Sequence, residues 1–271
     1  MKSAGAIIIG AGVVGASVAY HLTKRGAKDV LILEREAEQG MGSTGKATGG
    51  IRSQFETDIN IKMSLYSLDF FRNWDFDCGY DPRGYLFFAT EDNHLEYLTR
   101  NVEKQKGLGV RNVEIIDTKM VGKLVPGLNF KDIVGGSFGA GDGFIDPLAV
   151  MRGFTNEALG NGTTIEFSTE VLSIETNADK VSAVKTNKGR MECEKIVLCT
   201  GAWAKALAKT ADINLPVEPL KRQIVWARSK KPLPENLPMV IDIGTGFHFR
   251  PAKNSVKEIL LLILILRKNL R

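Results

Sequence analysis

A chain of 271 residues, 44% hydrophobic and 25% charged, has an ordinary globular composition and is long enough for one large domain or two interleaved ones. The formal net charge of +5 is mild, and no stripe of Lys and Arg interleaved with aromatics marks a nucleic-acid surface, so nucleic acid is excluded as a partner. Three cysteines, Cys78, Cys193 and Cys199, make neither a disulfide framework nor a metal-ligand set and read as buried apolar thiols in a reducing cytoplasm.

Residues 4–9 are a short apolar run that leads into Gly10-Ala11-Gly12-Val13-Val14-Gly15. With a strand that early, no segment is left over for targeting. Residues 16–25 place Val18, Ala19 and Leu22 on one helical face, and Gly26 closes the helix. Residues 30–33 form a second buried strand ending at Glu34-Arg35, which completes a βαβ opening of the length that unit needs. Residues 40–50, rich in Gly, Ser and Thr, form a loop, and helical spacing resumes over 60–75 with Ile61, Leu65, Leu68 and Phe71. A strand is expected over 85–90, helices over 92–106 and 117–124, glycine-rich hairpin or bulge geometry over 135–144, and a helix opened by Pro147. Strands follow over 164–167, 171–176, 181–186 and 191–198, then a helix over 201–209 and strands over 221–228, 240–243 and 246–250. The all-apolar run 259–266 is too short for a transmembrane helix, which needs about 20 residues.

The first motif with chemical content is Gly10-x-Gly12-x-x-Gly15. Gly10 permits the tight turn, Gly12 lets backbone approach a pyrophosphate, and Gly15 lets the helix pack close to the strand. The helix N-terminus, with Val13 and Val14, offers free N–H groups and partial positive charge to phosphates. Glu34, 19 residues after Gly15, is placed to bind ribose hydroxyls. Glu34 alone suits NAD or FAD. The hydroxyl-rich loop from Gly42 through Ser43, Thr44, Lys46, Ala47, Thr48 and Gly49 to Gly50 favours FAD, because a longer cofactor must be held at more points. For a nicotinamide dehydrogenase that loop would have no role. A third segment, the strand 196–199 with Thr200-Gly201-Ala202-Trp203, lets backbone pass close to a ligand.

These segments, together with Gly143-x-x-Asp146-Pro147 and Phe249-Arg250-Pro251, resemble the D-amino-acid oxidase superfamily in its sarcosine oxidase and dimethylglycine dehydrogenase-like branch, over about residues 4–251. The resemblance implies an α/β fold in which a Rossmann-type FAD-binding domain is interleaved with a mainly antiparallel β-sheet (α+β) substrate domain. The expected division is residues 1–80 and 147–215 for the FAD-binding domain and 81–146 with 216–251 for the substrate domain. Residues 252–271 form an atypical tail. It implies oxidation of the C–N bond of a secondary or tertiary amine or amino acid by hydride transfer to flavin, giving an imine that hydrolyses. It implies that Gly10, Gly12, Gly15, Glu34 and Arg35 hold the ADP portion, that Ser43, Thr44, Lys46, Ala47 and Thr48 approach the pyrophosphate and flavin, that the Val171 backbone meets the adenine, and that Thr200, Gly201 and Trp203 form the third flavin segment. Lys46 stands where the dimethylglycine and sarcosine dehydrogenases carry a histidine bonded to flavin, so flavin held non-covalently is expected.

Arg52 could fork onto a substrate carboxylate or cap loop carbonyls, and both readings stand. His248 and Arg250 alternate faces with Phe247 and Phe249, and one face could roof a substrate pocket. The resemblance also implies a further C-terminal region, whereas this chain continues into an Ile/Leu block and Arg267-Lys268-Asn269-Leu270-Arg271. A truncation soon after Pro251 is expected, or else an edge segment that recruits a partner. The expected partners are a small amine or amino-acid substrate and an electron acceptor or partner subunit. Rival readings are a non-catalytic FAD-binding subunit or assembly factor, a truncated inactive fragment, and a hydroxy-acid or glycerol-phosphate dehydrogenase.

Overall fold

Strand Lys2–Ile9 lies parallel to strand Val30–Leu33, and Ile7, Ile8, Ile32 and Leu33 are all buried. Alternate residues point to opposite faces, so a run buried throughout means a parallel sheet covered on both sides. The computed structural model describes residues 2–129, 131–178, 180–252 and 257–262. Helix Val13–Lys24 joins the two strands and ends at Gly26, whose left-handed backbone (φ +87°) lets its N–H return to the Thr23 carbonyl at 2.9 Å.

The sheet has six strands in the order Thr164–Glu166, Val30–Leu33, Lys2–Ile9, Gly189–Leu198, Lys180–Thr186 and Val171–Asn177. The first four are parallel, and the last two add an antiparallel meander at one edge. Helix Pro147–Gly160 packs against helix Val13–Lys24 through the rings of Phe154 and Tyr20, 5.1 Å apart. Its start is set by Pro147 and by the Asp146 carboxylate, which accepts from the N–H groups of Leu148 and Ala149 at 3.0 and 3.1 Å. These elements make up one compact unit, Met1–Ala47, Phe76–Cys78 and Asp146–Leu220.

The second unit comprises Thr48–Asp75, Gly79–Ile145 and Lys221–Arg271. Its sheet runs Ile224–Arg228, Glu258–Leu262, His248–Pro251, Met239–Asp242, Tyr85–Ala89, Gly135–Gly139 and Val113–Ile116. One neighbouring pair is parallel, Met239–Asp242 with Tyr85–Ala89; the others are antiparallel. Leu86 and Val240 face one side with Ile116 and Val121, while Phe87 and Ile241 face the other with Leu98 of helix Asp92–Gly107.

Three expectations change here. Residues 48–75 were grouped by sequence with the nucleotide-binding domain. In the structure they join the second unit, because Gly50–Ile51 pairs with Gly143–Phe144 and Ile61 of helix Asp58–Asn73 packs on Val102, Val110 and Val113. The stretch 135–144 is not one hairpin: Gly135–Gly139 joins the large sheet and Gly143–Phe144 joins the two-stranded ribbon. In the tail, Glu258–Leu262 is an interior strand, hydrogen-bonded on both sides to Ile224–Arg228 and His248–Pro251. The ladder uses backbone groups alone, so an Ile/Leu run without alternation can still fill it. Residues 253–256 and 263–271 lie outside the described residues. Among the described residues, no helix is long and apolar enough to cross a membrane.

Candidate cofactor and substrate sites

Ile9, Leu33 and Leu198 end three adjacent parallel strands, and all three line one cavity of about 760 Å³. The chain leaves Lys2–Ile9 toward Val30–Leu33 on one side, while Gly189–Leu198 lies on the other. That is a point where strand order reverses, and open α/β sheets bind ligands in the crevice beyond it.

The floor of the cavity is the glycine corner. Gly10 has φ +100°, and a Cβ there would sit 2.6 Å from the Cys199 carbonyl oxygen. A Cβ on Gly15 would overlap the Gly10 carbonyl, so strand and helix approach only because both positions are glycine. The Glu34 carboxylate ties down this corner: Oε2 accepts from the Ala11 N–H at 2.8 Å and Oε1 from the Glu36 N–H at 3.0 Å. Each oxygen keeps a further lone pair, so bonding to sugar hydroxyls stays open to it. Thr44 Oγ1 accepts from the Val13 N–H at 3.0 Å, which fastens the hydroxyl-rich loop to the helix start. Gln39 bridges the Ala11 carbonyl at 2.9 Å and Thr155 Oγ1 at 3.0 Å. Gly12 precedes the helix without a side-chain cap, so the first-turn N–H groups other than that of Val13 are left for a ligand.

Two further observations show that the residues present fit a dinucleotide. Thr200 Oγ1 is buried and has no hydrogen-bond partner, yet Thr200 lines the cavity. At the rim, the Arg35 guanidinium lies 3.8 Å from the ring centre of half-exposed Trp203. Stacked planes of this kind offer a flat, cationic surface beside an aromatic base.

Of the residues singled out in the sequence, Gly10, Gly12, Val13, Val14, Glu34, Arg35, Ser43, Thr44, Ala47, Val171, Thr200, Gly201 and Trp203 all line this cavity. Gly15 acts behind it, through packing. Lys46 is exposed and does not line it, its N–H bonding the Ser43 carbonyl at 3.2 Å. Thr48 and Gly49 belong to the second unit, where the Gly49 carbonyl accepts from Ile145 N–H at 2.8 Å. Gln39, Met41, Thr169, Glu170 and Cys199 were missed. The last four line the cavity, and none carries a motif of its own.

In the second unit a separate cavity of about 500 Å³ opens beside Arg52. The guanidinium carbon lies 4.6, 5.9 and 5.3 Å from the ring centres of Phe55, Tyr85 and Phe87. No hydrogen bond or ion pair to Arg52 occurs among the described residues, and its Nε is buried without a partner. Burial pulls the guanidinium below its ordinary value, with Tyr85 and Asp142 opposing. Asp142, the carboxylate that opposes it, is already occupied. It accepts from Ser53 N–H at 2.7 Å, Ser53 Oγ at 2.8 Å and Gln54 Nε2 at 3.1 Å. Burial raises the Asp142 carboxyl, against those hydrogen bonds and Arg52.

His248 and Arg250 line neither cavity. His248 Nδ1 sits 2.9 Å from the Gly246 carbonyl. Arg250 is buried over the Phe144 ring and donates to the carbonyls of Thr48 and Pro251. Burial lowers its pKa to about 10, with Tyr85 and Asp81 opposing and Arg83 assisting. Its donors hold backbone, which leaves a strapping role for the segment before Arg52.

A glycine corner, an acidic second strand and a crevice at the reversal of strand order define a dinucleotide-binding α/β protein of the Rossmann type. The family model described as FAD dependent oxidoreductase (DAO) matches residues 6–260, and the chain belongs to that family. It is 29% identical over 251 residues to the mitochondrial pyruvate dehydrogenase phosphatase regulatory subunit of Mus musculus, covering 90% of this chain and 28% of that protein. It is 28% identical over 258 residues to mitochondrial dimethylglycine dehydrogenase of Homo sapiens, covering 92% of this chain and 29% of that one. Among solved structures, L-proline dehydrogenase from P. horikoshii superposes with a TM-score of 0.85 at 27% identity, over 97% of this chain and 70% of that one. The chain thus spans under a third of the length of both curated relatives. FAD is the cofactor of this family, and the residues that line the first cavity fit it.

Proposed function

We propose that the protein oxidises the C–N bond of a secondary or tertiary amine or an amino acid, of the sarcosine kind. The observation that carries the amino-acid part of this reading is Arg52, a guanidinium walled by aromatic rings, facing a cavity and holding no acceptor. A planar carboxylate completes such a fork with two parallel bonds. Relatives support the amine part: the proteins matched include a dimethylglycine dehydrogenase and a 4-methylaminobutanoate oxidase.

Bound FAD would supply the two-electron acceptor for the hydride removed from the carbon next to nitrogen. In this reading the corner Gly10–Gly15 holds the pyrophosphate through the backbone N–H groups not already bonded to Leu33, Glu34 and Thr44, with Ser43 and Thr44 adding hydroxyls. Glu34 accepts from ribose hydroxyls while keeping its bond to Ala11, and Arg35 with Trp203 flanks the adenine beside the Val171 backbone. Thr200 donates its unpaired hydroxyl. Arg52 orients the substrate through its carboxylate, whereas His248 and Arg250 take no part. The three cysteines, none of them in a disulfide, suit the reducing cytoplasm as the compartment.

The test is anaerobic addition of N-methyl amino acids to purified, flavin-loaded protein. Bleaching of the flavin bands by amines, but not by hydroxy acids, is the expected result. Bleaching by hydroxy acids alone would move the protein to a hydroxy-acid dehydrogenase. A second reading has its own support, since one relative is named a regulatory subunit: a non-catalytic FAD-binding subunit. That protein would hold flavin that no amine bleaches. Non-covalent attachment is checked by acid precipitation, which should leave all the flavin in the supernatant.

A further inference from the structure

The cavity beside Arg52 contains a second group in want of a partner. Tyr85 is 4% exposed, lines that cavity, and its hydroxyl makes no hydrogen bond among the described residues. A tyrosine hydroxyl usually meets a polar partner, and here the ring is buried while the O–H makes no bond among the described residues. The hydroxyl is not in the hydrophobic core but at the cavity wall. It lies against Gly50, itself a lining residue, where any Cβ would overlap the phenol oxygen. The ring lies beside the guanidinium of Arg52, whose Nε is buried without a partner.

We infer that Tyr85 is a ligand-binding residue that donates its hydroxyl to the same carboxylate Arg52 holds, making the cavity a two-donor carboxylate site. The inference rests on the carboxylate reading of Arg52 given above. Three features of the surroundings favour such a ligand. Asp142, the carboxylate whose charge opposes the effect of burial on Arg52, is turned to Ser53 and Gln54 and supplies no hydrogen bond to Arg52. The rest of the wall mixes apolar Ile51, Met63 and Phe71 with polar Asn60, Ser64 and Ser67, which suits a carboxylate with a short organic body. Burial, opposed by Arg52 and Arg250 and assisted by Asp142, pushes the Tyr85 phenol up to about 12, so it remains a proton donor at any working pH. Gly50 thereby gains a reason to be glycine that its strand alone does not give.

The experiment is calorimetric titration of the flavin-loaded 271-residue chain with acetate, on wild type and on Tyr85→Phe, Gly50→Ala and Arg52→Met. Tyr85→Phe keeps the ring against Arg52 and removes only the oxygen. It should melt at the wild-type temperature and bind acetate roughly ten- to hundredfold more weakly, the range for a hydrogen bond to a charged group. Gly50→Ala, which displaces the hydroxyl, should weaken binding in the same direction. If Arg52→Met abolishes binding while Tyr85→Phe binds as wild type does, the role given to Tyr85 is wrong and the carboxylate reading stands. If the wild type itself takes up no acetate, both fail together.

Discussion

The two cavities present their polar groups by different means. In the first unit the polar groups at the cavity come largely from backbone: N–H groups at a helix start, a corner of glycines, and one glutamate that holds the corner. In the second, the donors are side chains carried by separate stretches, Arg52 just after the ribbon strand Gly50–Ile51 and Tyr85 on the large sheet. Backbone recognition needs residues that stay out of the way, so it leaves a compact motif in the sequence. Side-chain recognition needs residues brought together by folding. Such residues look unremarkable until the fold is known.

The sharpest way to break this contrast is Gly15→Ala. The added methyl overlaps the Gly10 carbonyl, so strand and helix must part and the corner opens. The variant is expected to purify without flavin, read as loss of nearly all visible absorbance per chain. Retention of colour would show that the corner tolerates bulk. Next in size is Arg52→Met, which keeps the apolar stem against the rings but removes the fork. KM for a carboxylate-bearing amine should rise roughly a hundredfold while flavin content is unchanged. An equal effect on an amine lacking a carboxylate would deny Arg52 its anchoring role.

Asp142 tests how the second cavity is held. Asp142→Ala leaves the Ser53 N–H and hydroxyl buried without an acceptor, while Gln54 Nε2 keeps only the Tyr85 carbonyl, and should cost about 2–4 kcal/mol in denaturant unfolding. Asp142→Asn adds a pH signature. Burial raises the carboxyl of Asp142 above its ordinary 3.8, so the folded chain keeps this proton longer than the unfolded one. The associated stability is full below the unfolded value and is lost as pH rises through the folded one. The stability of wild type relative to Asp142→Asn should therefore fall as pH is raised above the ordinary aspartate range. A flat difference would mean that the carboxyl is not raised. Smallest is Glu34→Gln, which keeps an oxygen for Ala11 but loses charge. FAD affinity should fall about tenfold, measured by fluorescence titration of apoprotein.

The sequence reading placed most elements within a few residues. Helix 117–124 and strand 85–90 appear as Thr118–Leu124 and Tyr85–Ala89. It lost Val113–Ile116 and Gly50–Ile51, which are too short to show periodicity and exist because a partner strand is present. It treated 252–271 as an atypical tail, although Glu258–Leu262 is flanked by strands on both sides. Arg250 stood beside Arg52 as a further candidate. The two differ only in what surrounds them: Arg250 meets the carbonyls of Thr48 and Pro251, and Arg52 meets none. No pattern along the chain reports where a carbonyl will be.

From the linear chain alone came the dinucleotide corner, its acidic partner Glu34 and the family to which they belong. Those features depend on local geometry: a turn that tolerates only glycine, a helix that starts directly after it, and a strand of fixed length before the carboxylate. The membership of residues 48–75 in the second unit, the aromatic enclosure of Arg52, the unpaired hydroxyl of Tyr85 and the occupied carboxylate of Asp142 were decided in three dimensions. Each depends on groups far apart in the chain, where packing chooses the neighbours and each group's partners, or lack of them, follow from that packing.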